Sequence, residues 1–152
     1  MRLSKRVVLA VLCLVAVAVV APVALAASVK LVPVAGNGEP NPAGSANVSY
    51  HVKSFWQGGP YGGRIWVTRY LVSLHVKCTG LTPNAEYSAH TSPSGSAAVV
   101  GWTRRADAEG NLAISDRGSW HISWGPPTSV SVVRHPTEPN GGLVPVLYGT
   151  VK

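Results

Sequence analysis

Apolar positions along this chain follow two rhythms. From Val7 to Val20 they run unbroken for 14 residues, and from Val29 onward they mostly alternate with polar ones at period two. The unbroken block is preceded by Arg2, Lys5 and Arg6 and followed by Pro22 and the small-x-small triplet Ala24-Leu25-Ala26. A basic start, an apolar run and a small-residue exit are what a signal peptidase reads. Residues 1–26 are therefore predicted to be a signal peptide, and residues 27–152 a single exported domain with one core. The competing reading is an uncleaved anchor, because the apolar block resumes after Pro22 and nearly spans a bilayer.

The period-two segments predict strands. Ala46, Val48, Tyr50 and Val52 make one apolar face, and Asn47, Ser49, His51 and Lys53 point to water. Arg64 to Thr79 is the longest window free of Gly and Pro, and its β-branched and aromatic content also reads as strand. Within it Val72, Leu74, Val76 and Cys78 alternate with Ser73, His75 and Lys77, which places Cys78 on the inner face. Further strands are predicted at 29–34, 85–91, 97–104, 111–116, 119–124, 129–134 and 144–151. All 16 Gly and all but one of the 12 Pro lie beyond the leader, leaving little room for a helix. Strands apolar on one face need a second sheet to cover them, so the predicted fold class is all-β, a two-sheet antiparallel sandwich.

Charge and cysteine content narrow the functions. The leader holds three of the 13 Lys and Arg, leaving ten cations against six acids. They are scattered, with Arg104-Arg105 the single adjacent pair, unlike the clustered stripe of a nucleic-acid footprint, so no nucleic-acid partner is expected. Cys13 leaves with the leader, and Leu12 before it is not the small residue that precedes a lipid-modified cysteine. Cys78 then has no disulfide partner, and a lone thiol in an exported domain is expected to be buried.

Leu81-Thr82-Pro83-Asn84-Ala85-Glu86-Tyr87 sets a turn between a strand ending at Gly80 and one carrying Tyr87, letting the phenol bond a backbone group upstream. This resembles the tyrosine corner of fibronectin type III and other immunoglobulin-like sandwiches, and the resemblance implies an immunoglobulin-like arrangement. Thr103 to Asn111, with its Asp107-Ala108-Glu109-Gly110-Asn111 turn, resembles a hairpin of small bacterial secreted sandwich proteins. That likeness implies an exported component, most of its relatives having no assigned activity. The Gly-rich stretch before the long strand and the extra Trp-rich strand depart from a fibronectin domain.

Signals for chemistry are sparse. His51, His75, His90, His121 and His135 include no His-x-His or His-x-x-x-His pair, and only a cross-strand His51/His75 pair offers a metal route. The Gly80-Leu81-Thr82-Pro83 turn before the strand ending in His90 is similar to that of chordin-type and copper–zinc superoxide dismutase sandwiches. Thr91 and Ser92 stand where the second histidine would be needed, so dismutase chemistry is not expected. No Gly-x-Ser-x-Gly elbow occurs, and Asp107 with Glu109 is explained by its turn rather than by calcium or acid–base work. No metal, cofactor or catalytic residue is predicted, and the expected role is binding or envelope structure.

Ser54 to Trp66 is the most unusual composition, aromatics interleaved with Gly, and is predicted to be a flexible loop. Phe55, Trp56, Tyr61 and Trp66, with Gln57 and Arg64 as hydrogen-bonding groups, form the candidate ligand site. Its expected partner is a polysaccharide or another envelope or extracellular protein, with no stable membrane insertion once the leader is removed. The rival reading has the loop folding back to cap the sandwich. Trp120, Ile122 and Trp124 are expected in the core. Asn47-Val48-Ser49 is a glycosylation sequon in a eukaryotic source.

Overall fold

The structure, a computed structural model, describes residues 24–93, 103–137 and 141–152. The apolar block of the leader and nearly all of the strand expected at 97–104 lie outside these. Eight strands account for most of the described chain: β1 (Leu25–Pro33), β2 (Ala43–Gly58), β3 (Arg64–Thr79), β4 (Glu86–Pro93), β5 (Thr103–Arg105), β6 (Leu112–His121), β7 (Pro127–Arg134) and β8 (Val144–Thr150). They form one antiparallel sheet in the order β5-β4-β7-β8-β1-β2-β3-β6.

β1 joins the two halves of this sheet. Leu25 to Leu31 pair with β2, whereas Val32 and Pro33 pair with Tyr148 and Leu147 of β8. The two outermost strands, β5 and β6, are consecutive in sequence and meet at the Asp107–Asn111 turn, where Asp107 N–H donates to the Asn111 carbonyl at 2.9 Å. The sheet thus returns almost onto itself and encloses its apolar face. Val48, Val72, Leu74, Val76, Ile114 and Trp120 come from one half, and Tyr87, Ala89, Val130, Val132, Val146 and Leu147 from the other. Each buried aliphatic side chain contributes about 1.5–3 kcal/mol relative to exposure.

Cys78 sits in this core as its alternation requires, and desolvation pushes its thiol up to about 12. Opposite it, Gly44 is fixed by space: a Cβ there would lie 2.9 Å from Cys78 Sγ. Gly80 is fixed by both φ (+66°) and space, since a Cβ would collide with the Asn41 carbonyl.

The corner after Gly80 forms and recruits a carboxylate. Thr82 N–H donates to the Tyr87 hydroxyl at 3.0 Å, and that hydroxyl donates to Glu39 at 3.0 Å. Glu39 Oε2 also accepts from Thr82 N–H at 2.6 Å and Thr82 Oγ1 at 2.8 Å, and Oε1 accepts from Arg134 at 2.9 Å. The Glu39 side chain is completely enclosed, so this set of partners replaces its hydration. Burial first, and the Glu39 contact next, raise the Tyr87 phenol above its usual range.

Three expectations change. The segment expected to be a flexible loop is strand nearly throughout: β2 and β3 pair without interruption from Ala43↔Thr79 to Gly58↔Arg64, and only residues 59–63 turn. Apolar/polar alternation ends here, but the β propensity of Phe55, Trp56, Ile65, Trp66 and Val67 outweighs the flanking glycines and keeps both strands extended. The strands expected at 111–116 and 119–124 are one strand ending at His121, and Ile122–Trp124 is a 3-10 turn in which His121 Nδ1 accepts from Ser123 N–H at 3.2 Å. Trp120 is core, its Nε1 donating to the Gly125 carbonyl at 2.7 Å, but Ile122 and Trp124 are exposed. Val52 is exposed as well, because the ladder outruns the half-sheet that would cover it.

Candidate functional site

The two long strands leave the body of the sheet together. β1 accompanies β2 only as far as Tyr50, and β6 accompanies β3 only from Arg69. Five residue pairs, Ser54↔Thr68 to Gly58↔Arg64, therefore project as a two-stranded ribbon with neither outer edge paired among the described residues, about 16 Å long at ~3.3 Å per residue. Its tip turns through Pro60, Tyr61 and Gly62, with Tyr61 at φ 68° and Gly59 N–H donating to the Gly63 carbonyl at 2.7 Å.

Alternation assigns the ribbon two faces. Trp56 and Trp66 are direct cross-strand partners on the face continuous with the core, their rings 5.2 Å apart and 69° from parallel. Behind them Ser54 Oγ and Thr68 Oγ1 share a hydrogen bond of 2.8 Å. Phe55, Val67 and Ile65 occupy the other face, with Lys53 opposite Arg69 at the base. Arg69 donates to Gln57 Oε1 at 3.4 Å, and its Nε has no hydrogen-bond partner.

Of the six expected site residues, the structure brings Trp56 and Trp66 together. It places Phe55 and Gln57 on the opposite face and leaves Tyr61 alone at the apex. Arg64 faces Gly58. Trp56 is 61% exposed, Trp66 57% and Tyr61 fully, so the segment stands away from the core rather than folding over it. Sequence reasoning missed Ile65, Val67 and Arg69. All three lie in the Arg64–Thr79 window that its β-branched and aromatic content marks as strand, and its pairing with Lys53, Phe55 and Gln57 puts them on the ribbon.

Elsewhere, Ser88 Oγ lies 2.6 Å from His90 Nε2 and 2.9 Å from His135 Nε2, and Ser88 is only 2% exposed. A nucleophile needs access that this enclosed hydroxyl lacks. Ser88 and His90 lie two apart on one strand face, legible from sequence, whereas His135 arrives from beyond β7 and was not. Burial, and then the neighbouring His135, hold His90 below its ordinary pKa. His51 and His75 do point outward, but His51 pairs with Leu71 and His75 with Asn47, four positions apart along the ladder and about 13 Å at strand spacing. They do not meet. Among the described residues no three His, Cys, Asp or Glu side chains converge as metal ligands.

Comparison with known proteins adds no relative: no family model, curated protein or solved structure matches this chain.

Proposed function

We propose that this chain is an exported, non-catalytic binding protein. In this reading its closed sheet is an immunoglobulin-like sandwich of two halves, β1-β2-β3-β6 and β5-β4-β7-β8, and its ribbon tip holds an extracytoplasmic partner. The single observation that carries the reading is the Trp56–Trp66 pair, exposed on a ribbon that no other strand supports among the described residues. Solvent-exposed large aromatics clustered on a projection mark interaction sites more often than stability elements. The leader motif supports export. A thiol pushed up to about 12 by burial is a poor nucleophile, which supports the non-catalytic reading.

Sugar binding is the second reading, and Tyr61 favours it by presenting an unobstructed ring. The tryptophans favour it less, since in an edge-to-face pair one ring's face is spent on its neighbour's edge. Retention of the purified protein on its own cell-envelope fraction tests the proposal. Trp56→Ala and Tyr61→Ala are expected to abolish retention while the melting temperature stays within about a degree or two. Loss of retention only through unfolding would remove the tip as the site.

A further inference from the structure

The ribbon is apolar on both faces, and this restricts what can cover it. Trp56 and Trp66 emerge from one side and Phe55, Val67 and Ile65 from the other, with Tyr61 beyond them at the apex. A flat protein surface or a sugar chain covers one face of a two-stranded ribbon and leaves the other wet. A fluid lipid interface, which accepts aromatic rings at headgroup depth, surrounds both.

Charge gives the second constraint. From Pro40 to Ala85 the chain contains no Asp or Glu, and the same stretch carries Lys53, Arg64, Arg69 and Lys77. Three of these cations stand on the ribbon or its base, Lys53 and Arg69 as direct cross-strand partners and Arg64 next to the tip turn. Trp and Tyr concentrate at the boundary between lipid headgroups and acyl chains, and Lys and Arg beside them are drawn to anionic headgroups.

From these features we propose that the β2–β3 ribbon docks the protein on an anionic phospholipid surface. Trp56, Trp66 and Tyr61 enter the interfacial zone, and Lys53, Arg64 and Arg69 lie against the phosphates. The inference rests on the reading of the tip as the binding site and names its partner. The backbone sets the depth. Among the described residues both outer edges of the ribbon are unpaired over five residue pairs, and unpaired peptide groups cannot enter hydrocarbon, so the tip stops among the headgroups. The Ser54–Thr68 hydroxyl pair and the Lys53–Arg69 pair mark the polar level at which entry ends.

The test uses the purified chain and vesicles of phosphatidylcholine with or without phosphatidylglycerol, read by co-sedimentation and by the blue shift of tryptophan emission. Binding is expected to the phosphatidylglycerol vesicles and to weaken with salt. Arg64→Gln, at an exposed position, is expected to weaken it about fivefold. The Trp56→Ala/Trp66→Ala double variant is expected to lose both the binding and the shift, and Tyr61→Ala to weaken binding without affecting the fold. Equal binding to both vesicle types, or undiminished binding by the double variant, overturns the proposal. If vesicles fail to bind while the envelope fraction still retains wild type and releases the Trp56→Ala variant, the lipid assignment falls and the tip remains the binding site. If the envelope fraction retains every tip variant, both readings fall.

Discussion

The two ends of the β2–β3 ladder invert the usual rule in opposite senses. At the end near Ala43 and Thr79, the adjoining corner buries a carboxylate, a phenol and part of a guanidinium. At the other end, Trp56, Trp66 and Tyr61 stand in solvent. The strands, the register and the alternation are continuous between them. What differs is what stands opposite: the second half of the sheet covers the first end, and among the described residues nothing covers the last five pairs. The buried polar end is tolerated because each Glu39 oxygen is bonded, so it serves the fold. The exposed apolar end contributes little to the fold, which leaves it available for a partner.

The sharpest way to break this contrast is Glu39→Ala. It strips Tyr87, Thr82 and Arg134 of their acceptor and is expected to cost about 3 kcal/mol or more, read by denaturant melting. A cost under about 1 kcal/mol would mean that the corner is ornamental. Cys78→Ser, close to the same end, is expected to cost about 1–3 kcal/mol by placing a hydroxyl without a partner in the core. The native thiol should react with a maleimide far more slowly than the unfolded one. Tyr87→Phe removes one donor and one acceptor and is expected to cost about 1–2 kcal/mol.

A smaller effect is expected from pH. His90 is held below its ordinary value of 6.5, so the unfolded chain takes up its proton first as pH falls. Its contribution is complete above about pH 6.5 and is lost as pH drops through the folded pKa, and His90→Gln should flatten that part of the stability profile. The smallest shift is expected at the tip. Trp66→Ala should change stability by less than about 1.5 kcal/mol, the upper range of an aromatic pair, and a larger loss would turn the tip into part of the fold.

Period-two alternation was enough to find the strands that build the core, and it put Cys78, Val72, Leu74 and Val76 on the correct face. The corner was also legible, because Pro83-Asn84 and Tyr87 are local in sequence. Glu39 was not, since it lies 48 residues from the phenol it accepts from, and no local pattern announces a buried acid. The tip was found by composition but misread as a loop. Its glycines suggest a break over the whole stretch, whereas only residues 59–63 turn. Ile122 and Trp124 were misplaced for the opposite reason, since alternation with Trp120 suggested a strand that His121 and Gly125 bend into a turn.

β1 also decides where the larger closure cost of the sheet falls. β2 and β3 are joined by five residues, so their ladder zips from a local turn at small entropic cost. The pairing of Val32 and Pro33 with Tyr148 and Leu147 joins opposite ends of the described chain. The long hairpin closes over five residues, whereas the β1–β8 pairing closes over more than a hundred, so joining the two halves of the sheet carries the larger loop-closure cost.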